Sequence, residues 1–333
     1  MRRRTVLLTH GPAALAHYYG ARALSALQAV ADVRRKPDET PWTPDTLAAA
    51  AADCELIISD RVTEAPAALL VRLPRLVALC RCAVDIRNID VAAASAHGIL
   101  VTQASAGFMA SVAEWIVGVM VDLGRGISDA VLAYRSGRTP RVAMGRELRG
   151  STLGIVGYGQ IGRTLADVSV ALGMRVLVAD PHVTAAQPGL QQVTLAALLA
   201  DADFVVCLAN ASAETENLFD AAAFAAMKRD AFFINASRGN LVDEAALLHA
   251  LDDGRIAGAA LDVGRAADQM PGPELARHPR VIATPHIGGL TPPAIEHQAM
   301  ETVAQVAELV QGRVPVGAVN AEHAQRLRAW SAA

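Results

Sequence analysis

Three glycines spaced as Gly157-x-Gly159-x-x-Gly162, with Asp180 placed 18 residues after the last of them, form the most chemically specific pattern in this 333-residue chain. They follow the strand-like run "TLGIV" and open a helical stretch, and a second strand-like run, "RVLVAD", ends on Asp180. In that context Gly157 permits a tight turn, Gly159 lets the backbone approach a pyrophosphate, and Gly162 lets helix and strand pack closely. The start of the helix, at Gln160 and Ile161, offers N–H donors to phosphate. A carboxylate at position 180 can accept from both hydroxyls of an adenosine ribose and repels a 2′-phosphate, so the pattern favours NAD over NADP. Two more residues follow strand-like runs: Arg238 after "AFFINAS" and His286 after "RVIAT". A guanidinium can hold a carboxylate bidentately, and an imidazole exchanges protons near neutral pH. Taken alone, each has a plainer reading, a surface arginine and a structural histidine.

The elements that position these groups are legible as alternation. The runs "TVLLT", "CELIISD", "LVALCRC", "ILVTQ", "TLGIVGYG", "RVLVAD", "FVVCLAN", "AFFINAS", "GAALDV" and "RVIATPH" are separated by alanine-rich helical stretches. Continuous apolar strands between helices predict an α/β protein whose parallel sheets are covered on both faces. The series breaks once, from "MASVAEWIVGVMVDLGRGI" (109 to 127) to "MGRELRG" (144 to 150), where helical spacing predicts one long helix leading between two domains. In the helix after the glycines, Ile161, Leu165, Val168 and Leu172 fall on one face. "PPAIEHQAMETVAQVAELVQGR" reads as a helix with prolines at its start and Gly312 at its end.

Composition narrows the partners. Thirty basic and 33 acidic residues are scattered along the chain, so no basic block offers a nucleic-acid footprint, and a small molecule is the expected partner. No window reaches the roughly 18 apolar residues of a bilayer crossing, so no membrane partner is expected. "MRRRTVLLT" has too short an apolar part for a secretory signal and reads as a first strand. Cys54, Cys80, Cys82 and Cys207 lack zinc-site spacing, which leaves no metal site and suggests reduced thiols in a cytoplasmic protein.

The motifs "SVAE" (111 to 114), "LRGSTLGIVGYGQIGR" (148 to 163), "FINASRGNLVDEAALLHAL" (233 to 251), "AGAALDV" (257 to 263) and "TPHIGG" (284 to 289) resemble, in order and separation, the NAD-dependent D-2-hydroxyacid dehydrogenases. The resemblance implies two Rossmann-like domains. One is a discontinuous, flavodoxin-like catalytic domain (1–105 with 290–333), and the other a doubly wound NAD-binding domain (106–289). It implies a homodimer through the cofactor domain and a hydride moved between nicotinamide and a small D-2-hydroxy or 2-oxo acid. It assigns Arg238 to binding and polarising the substrate and His286 to proton transfer. Asp262 approaches the nicotinamide carboxamide or caps its strand, and Asn210 and Ala236 join Arg238 and His286 around the cofactor. Asn235 orders the loop bearing Arg238, Glu114 is a buried structural partner, and backbone donors at Val84 and Asp85 receive the substrate carboxylate.

Three positions depart from the family pattern. The glutamate that normally supports the catalytic histidine falls at Ala267, with Asp268 one residue on, either as a substitute or as a solvated loop residue. The glycine-rich substrate loop reads "RCAVDIRNID" (81 to 90), where an inward Asp85 opposes an anionic substrate unless Arg81 or Arg87 neutralises it. Asn210 replaces a proline of the nicotinamide pocket. These changes gather at the reacting end of the cofactor, which implies an unusual substrate or reduced activity. Two alternatives stay open: an NAD(H)-sensing binding protein with little turnover, and a dehydrogenase of a non-carboxylate substrate.

Overall fold

The computed structural model describes residues 3–185 and 188–331, apart from the side chains of Asp268 and Ser331. The backbone groups into two compact units, Met1–Gly107 with Pro292–Ala333, and Phe108–Thr291.

Five parallel strands build the first unit: β1 (Thr5–Leu8), β2 (Asp32–Arg35), β3 (Leu56–Ser59), β4 (Ala78–Arg81) and β5 (Leu100–Gln103). Their order is β2-β1-β3-β4-β5, so the chain reverses direction across the sheet between β1 and β3. The period-two alternation of strands decides which side chain covers which face. Val6, Leu8, Leu56, Ile58 and Cys80 join one core, with helices Ala21–Val30 and Pro292–Leu309. Leu7, Ile57, Leu79 and Val101 join the other, with helix Pro44–Ala50.

Seven parallel strands build the second unit: β6 (Thr152–Val156), β7 (Arg175–Ala179), β8 (Leu190–Gln192), β9 (Phe204–Cys207), β10 (Phe232–Asn235), β11 (Gly258–Leu261) and β12 (Val281–Ala283). Their order is β12-β11-β10-β9-β6-β7-β8, with the reversal between β6 and β9. In open α/β sheets ligands bind beyond the carboxyl ends of the strands, at such a reversal. Both units therefore present one such edge.

Three expectations need correction. β2 and β8 are additional strands, "DVRR" and "LQQ", which the search for apolar runs passed over because they lie on sheet edges, largely exposed. The single long helix is two, Met109–Arg125 and Ile127–Arg135, because Gly126 adopts a left-handed φ of 64°. In helix Gln160–Ala171 the buried face is Gly162, Leu165, Ala166 and Ser169, whereas Val168 and Leu172 are exposed. Its small residues let helix Met109–Arg125 approach, through Val112, Ala113 and Ile116 in the same core.

Candidate active site

The glycine turn closes as its spacing requires. Gly157, directly after β6, has φ +99°, and a Cβ there would lie 2.5 Å from the backbone of Leu208 and Ala209. A Cβ on Gly162 would lie 2.5 Å from the carbonyl oxygen of Gly157. Gly159 differs: no atom lies within 4 Å of its Cβ position, so the turn leaves open space beside the start of helix Gln160–Ala171. That bare backbone, next to the N–H groups of Gln160 and Ile161, fits a pyrophosphate.

Asp180 follows β7 and is anchored by backbone donors. Its Oδ2 accepts from Tyr158 N at 2.7 Å, and its Oδ1 from His182 N at 2.8 Å and Val183 N at 3.1 Å. Burial works against ionisation, but these three N–H groups outweigh it and hold the carboxyl below its ordinary pKa. One carboxylate thus ties the glycine turn to the β7 loop, and of its roughly four acceptor positions about one is left for a ribose hydroxyl. Asn210 is exposed past the end of β9, across the sheet reversal from Gly157. Ala236 N reaches Cys207 O at 3.4 Å.

The register of the last three strands lines up the remaining groups. Asn235, Leu261 and Ala283 are paired neighbours, so Arg238 and His286 stand equally far past the ends of β10 and β12, with Asp262 past β11 between them. Strands two apart are about 10 Å from each other. Asn235 closes the β10 turn, its Nδ2 donating to Arg238 O at 3.0 Å and its Oδ1 accepting from Ser237 N at 3.1 Å. The guanidinium of Arg238 donates through Nη1 to Ser237 O at 2.7 Å. Asp262 is buried and organises the histidine loop: its Oδ1 accepts from Thr284 Oγ1 at 2.6 Å and Ile287 N at 2.8 Å, and its Oδ2 from Gly288 N at 2.7 Å. Within that loop His286 takes φ +56°, a left-handed conformation that a side chain adopts only when its surroundings enforce it. Three hydrogen bonds occupy most of Asp262, which makes it foremost an anchor for His286.

The departures take definite form. Ala267 lies in a short 3-10 turn, Ala267–Gln269, and the side chain of Asp268 is outside the described residues. Glu114 corrects its expectation, since it is exposed on helix Met109–Arg125. In the first unit Asp85 is matched by Arg87, whose Nη2 lies 2.6 Å from Oδ2 and whose backbone N donates to Oδ1 at 3.0 Å. Val84 is exposed beside it. His10, which carries no motif in the sequence, is buried just past β1, next to the reversal of its sheet. The only signal was its place directly after a strand.

Comparison with known proteins agrees with this geometry. Residues 117–288 match the family model of the D-isomer specific 2-hydroxyacid dehydrogenase NAD binding domain. D-3-phosphoglycerate dehydrogenase of Pongo abelii is 35% identical over 283 residues, covering 84% of this chain and 53% of the relative. The protein of the same name from Bacillus subtilis (strain 168) is 37% identical over 244 residues, covering 72% and 46%. The chain thus spans about half the length of the curated relatives it matches. The crystal structure of the TT0316 protein from Thermus thermophilus superposes with a TM-score of 0.84 at 28% identity, covering 95% of this chain and 99% of that one. With its glycine turn, Asp180, and the strand-end residues Arg238 and His286 in place, the chain belongs to the D-isomer specific 2-hydroxyacid dehydrogenase family, whose cofactor is NAD(H).

Proposed function

We propose that the protein is a dehydrogenase of a small D-2-hydroxy acid, working on the 2-hydroxy acid and 2-oxo acid pair. The observation that carries this reading is the Asp262 anchor, which spends three hydrogen bonds on holding His286 past the end of β12, level with Arg238 past β10. A structural histidine needs no such support.

NAD(H), when bound, supplies or takes up the hydride. Gly157, Gly159 and Gly162 with the N–H groups of Gln160 and Ile161 would hold its pyrophosphate, and Asp180 its ribose. Arg238 would pair with the substrate carboxylate and polarise the 2-oxo group. His286 would give a proton to the ketone oxygen during reduction and remove one from the hydroxyl during oxidation. Asp262 acts through His286 and is a positioning residue. Val84 and Asp85 offer backbone donors to the substrate carboxylate, and the Arg87 partner of Asp85 removes the repulsion its charge would cause. Asp268 serves at most as an auxiliary to His286. The test is NADH oxidation by the purified protein with a panel of 2-oxo acids; the reading predicts turnover with at least one, and absence of turnover with all, despite NADH binding, would favour an NAD(H) sensor.

We further propose a homodimer formed through the second unit. There Leu132, Tyr134, Val142 and Met144 are exposed at 62%, 70%, 98% and 100%, a run of apolar side chains that suits a second copy of the same surface. Light scattering at the mass of two chains supports it, and monodisperse monomer contradicts it. Four free, buried cysteines suit a reducing, cytoplasmic setting. No helix among the described residues is long and apolar enough to cross a membrane.

A further inference from the structure

The loop after β11 lies directly against the turn that follows Arg238. That turn is the short 3-10 segment Gly239–Leu241, and a Cβ on Gly239 would lie 2.1 Å from the backbone carbon of Gly264. Backbone meets backbone there, with no room for a side chain between them. The near end of the turn is held by Asn235 and by Ser237, whose Oγ donates to Ala209 O at 2.6 Å. Its far end is held from the β11 loop, by Arg265.

The Nε of Arg265 donates to Val242 O at 3.2 Å, and its Nη2 faces four acceptors: Val242 O at 3.1 Å, Asn240 O at 3.0 Å, Asn217 Oδ1 at 2.6 Å and Glu216 Oε1 at 2.8 Å. Glu216 and Asn217 belong to the loop after β9, Asn240 and Val242 to the loop after β10. One guanidinium from the β11 loop therefore reaches both neighbouring loops. The network closes on itself, since Asn240 Nδ2 donates to Glu216 Oε2 at 3.0 Å and Asn217 N to Asn240 O at 2.9 Å. Within it Asn217 takes a left-handed φ of 53°, which the surrounding bonds enforce. The backbone of Arg265 is fixed as well, its N donating to Glu244 Oε1 at 2.9 Å at the start of helix Glu244–Asp252.

A guanidinium carries its donors in a rigid planar fork, whereas an ammonium is a point charge on a flexible stem. The fork can serve a carboxylate, a side-chain amide and main-chain carbonyls at once. An arginine that merely balanced Glu216 at the surface would contribute little. Two of the acceptors here are instead main-chain carbonyls within four residues of Arg238, so the arginine acts on the turn itself.

We propose that Arg265 is a positioning residue for Arg238: it clasps the loops after β9, β10 and β11 together and so fixes where Arg238 stands before substrate arrives. What Arg238 then does rests on the dehydrogenase reading; the clasp does not.

The test compares the wild type with Arg265→Met and Arg265→Lys in steady-state reduction of glyoxylate, hydroxypyruvate and pyruvate by NADH. For each acid that the wild type reduces, Arg265→Met should raise KM by about 10-fold and lower kcat, because small misplacements of a substrate-binding group are costly. Arg265→Lys keeps the charge beside Glu216 but not the fork, and should raise KM to a similar extent. A merely structural Arg265 would reduce the folded fraction, lowering kcat with KM unchanged, which overturns the proposal. Full recovery by lysine overturns it too, since charge alone would then suffice. A second measurement, amide hydrogen exchange over residues 236–243, needs no turnover and separates failure of the clasp from failure of the dehydrogenase reading. Faster exchange in this segment of Arg265→Met, with β10 still protected, supports the proposal even if no acid is reduced; unchanged exchange overturns it.

Discussion

The two sheets end in opposite ways. At the carboxyl ends of β7, β10 and β11 in the second unit, Asp180, Asn235 and Asp262 spend their side-chain oxygens on donors of their own and neighbouring loops, so this edge is set by the protein itself. At the carboxyl ends of β1, β3 and β4 in the first unit, His10, Ser59 and Arg81 keep buried donors and acceptors without partners among the described residues. A satisfied edge holds its reactive groups in one geometry before anything binds, which suits the invariant chemistry of hydride and proton movement. An edge with unpartnered buried groups can take further hydrogen bonds from a ligand or from water, which suits discrimination among ligands.

Substitutions can break or sharpen that contrast. The largest effect is expected at His286: His286→Gln should lower kcat by about 10²–10⁴-fold, the usual contribution of a positioned acid or base, with NADH affinity unchanged. Arg238→Gln should lower kcat/KM by about 10²–10³-fold, as the loss of one charge-stabilising donor does, with the deficit in KM as well as in kcat. Steady-state kinetics with NADH binding by fluorescence checks both.

On the first unit the contrast appears as a pH effect on stability. The folded pKa of His10 lies near 4, below its ordinary value of 6.5. On acidification the unfolded chain takes up this proton first, so the stability present above pH 6.5 is lost as pH falls from 6.5 towards 4, by about 3 kcal/mol in total. His10→Gln should remove that component, seen as a flatter dependence of denaturant midpoint on pH over this window; an unchanged slope would mean that His10 is not buried neutral. The smallest effect is expected at Asp180, where Asp180→Asn should weaken NADH binding by about 10-fold, the worth of one charge-assisted hydrogen bond. Calorimetry checks it.

Legibility in the sequence followed the range of the interactions. The glycine turn and Asp180 lie within one βαβ unit, and their spacing alone specified the local geometry. Arg238 and His286 were found through motifs, while the role of Asp262 as an anchor depends on the register of β10, β11 and β12, which spacing does not express. The strands β2 and β8 escaped because edge strands carry little apolar signal, and Gly126 ended a helix whose apolar pattern continued past it. The cluster at His10, Ser59, Asp60 and Arg81 was hidden most deeply, since its members sit at the ends of three strands joined only by sheet order.

The most direct test of the central claim, that His286 exchanges the proton of a 2-hydroxy acid reaction, is the pH dependence of kcat/KM in both directions. Reduction needs the protonated imidazole and oxidation the neutral one. The account therefore predicts that reduction falls and oxidation rises with increasing pH, each through an inflection, and that His286→Gln loses the inflection in both directions. Profiles that run parallel in the two directions, or that survive unchanged in His286→Gln, would contradict it.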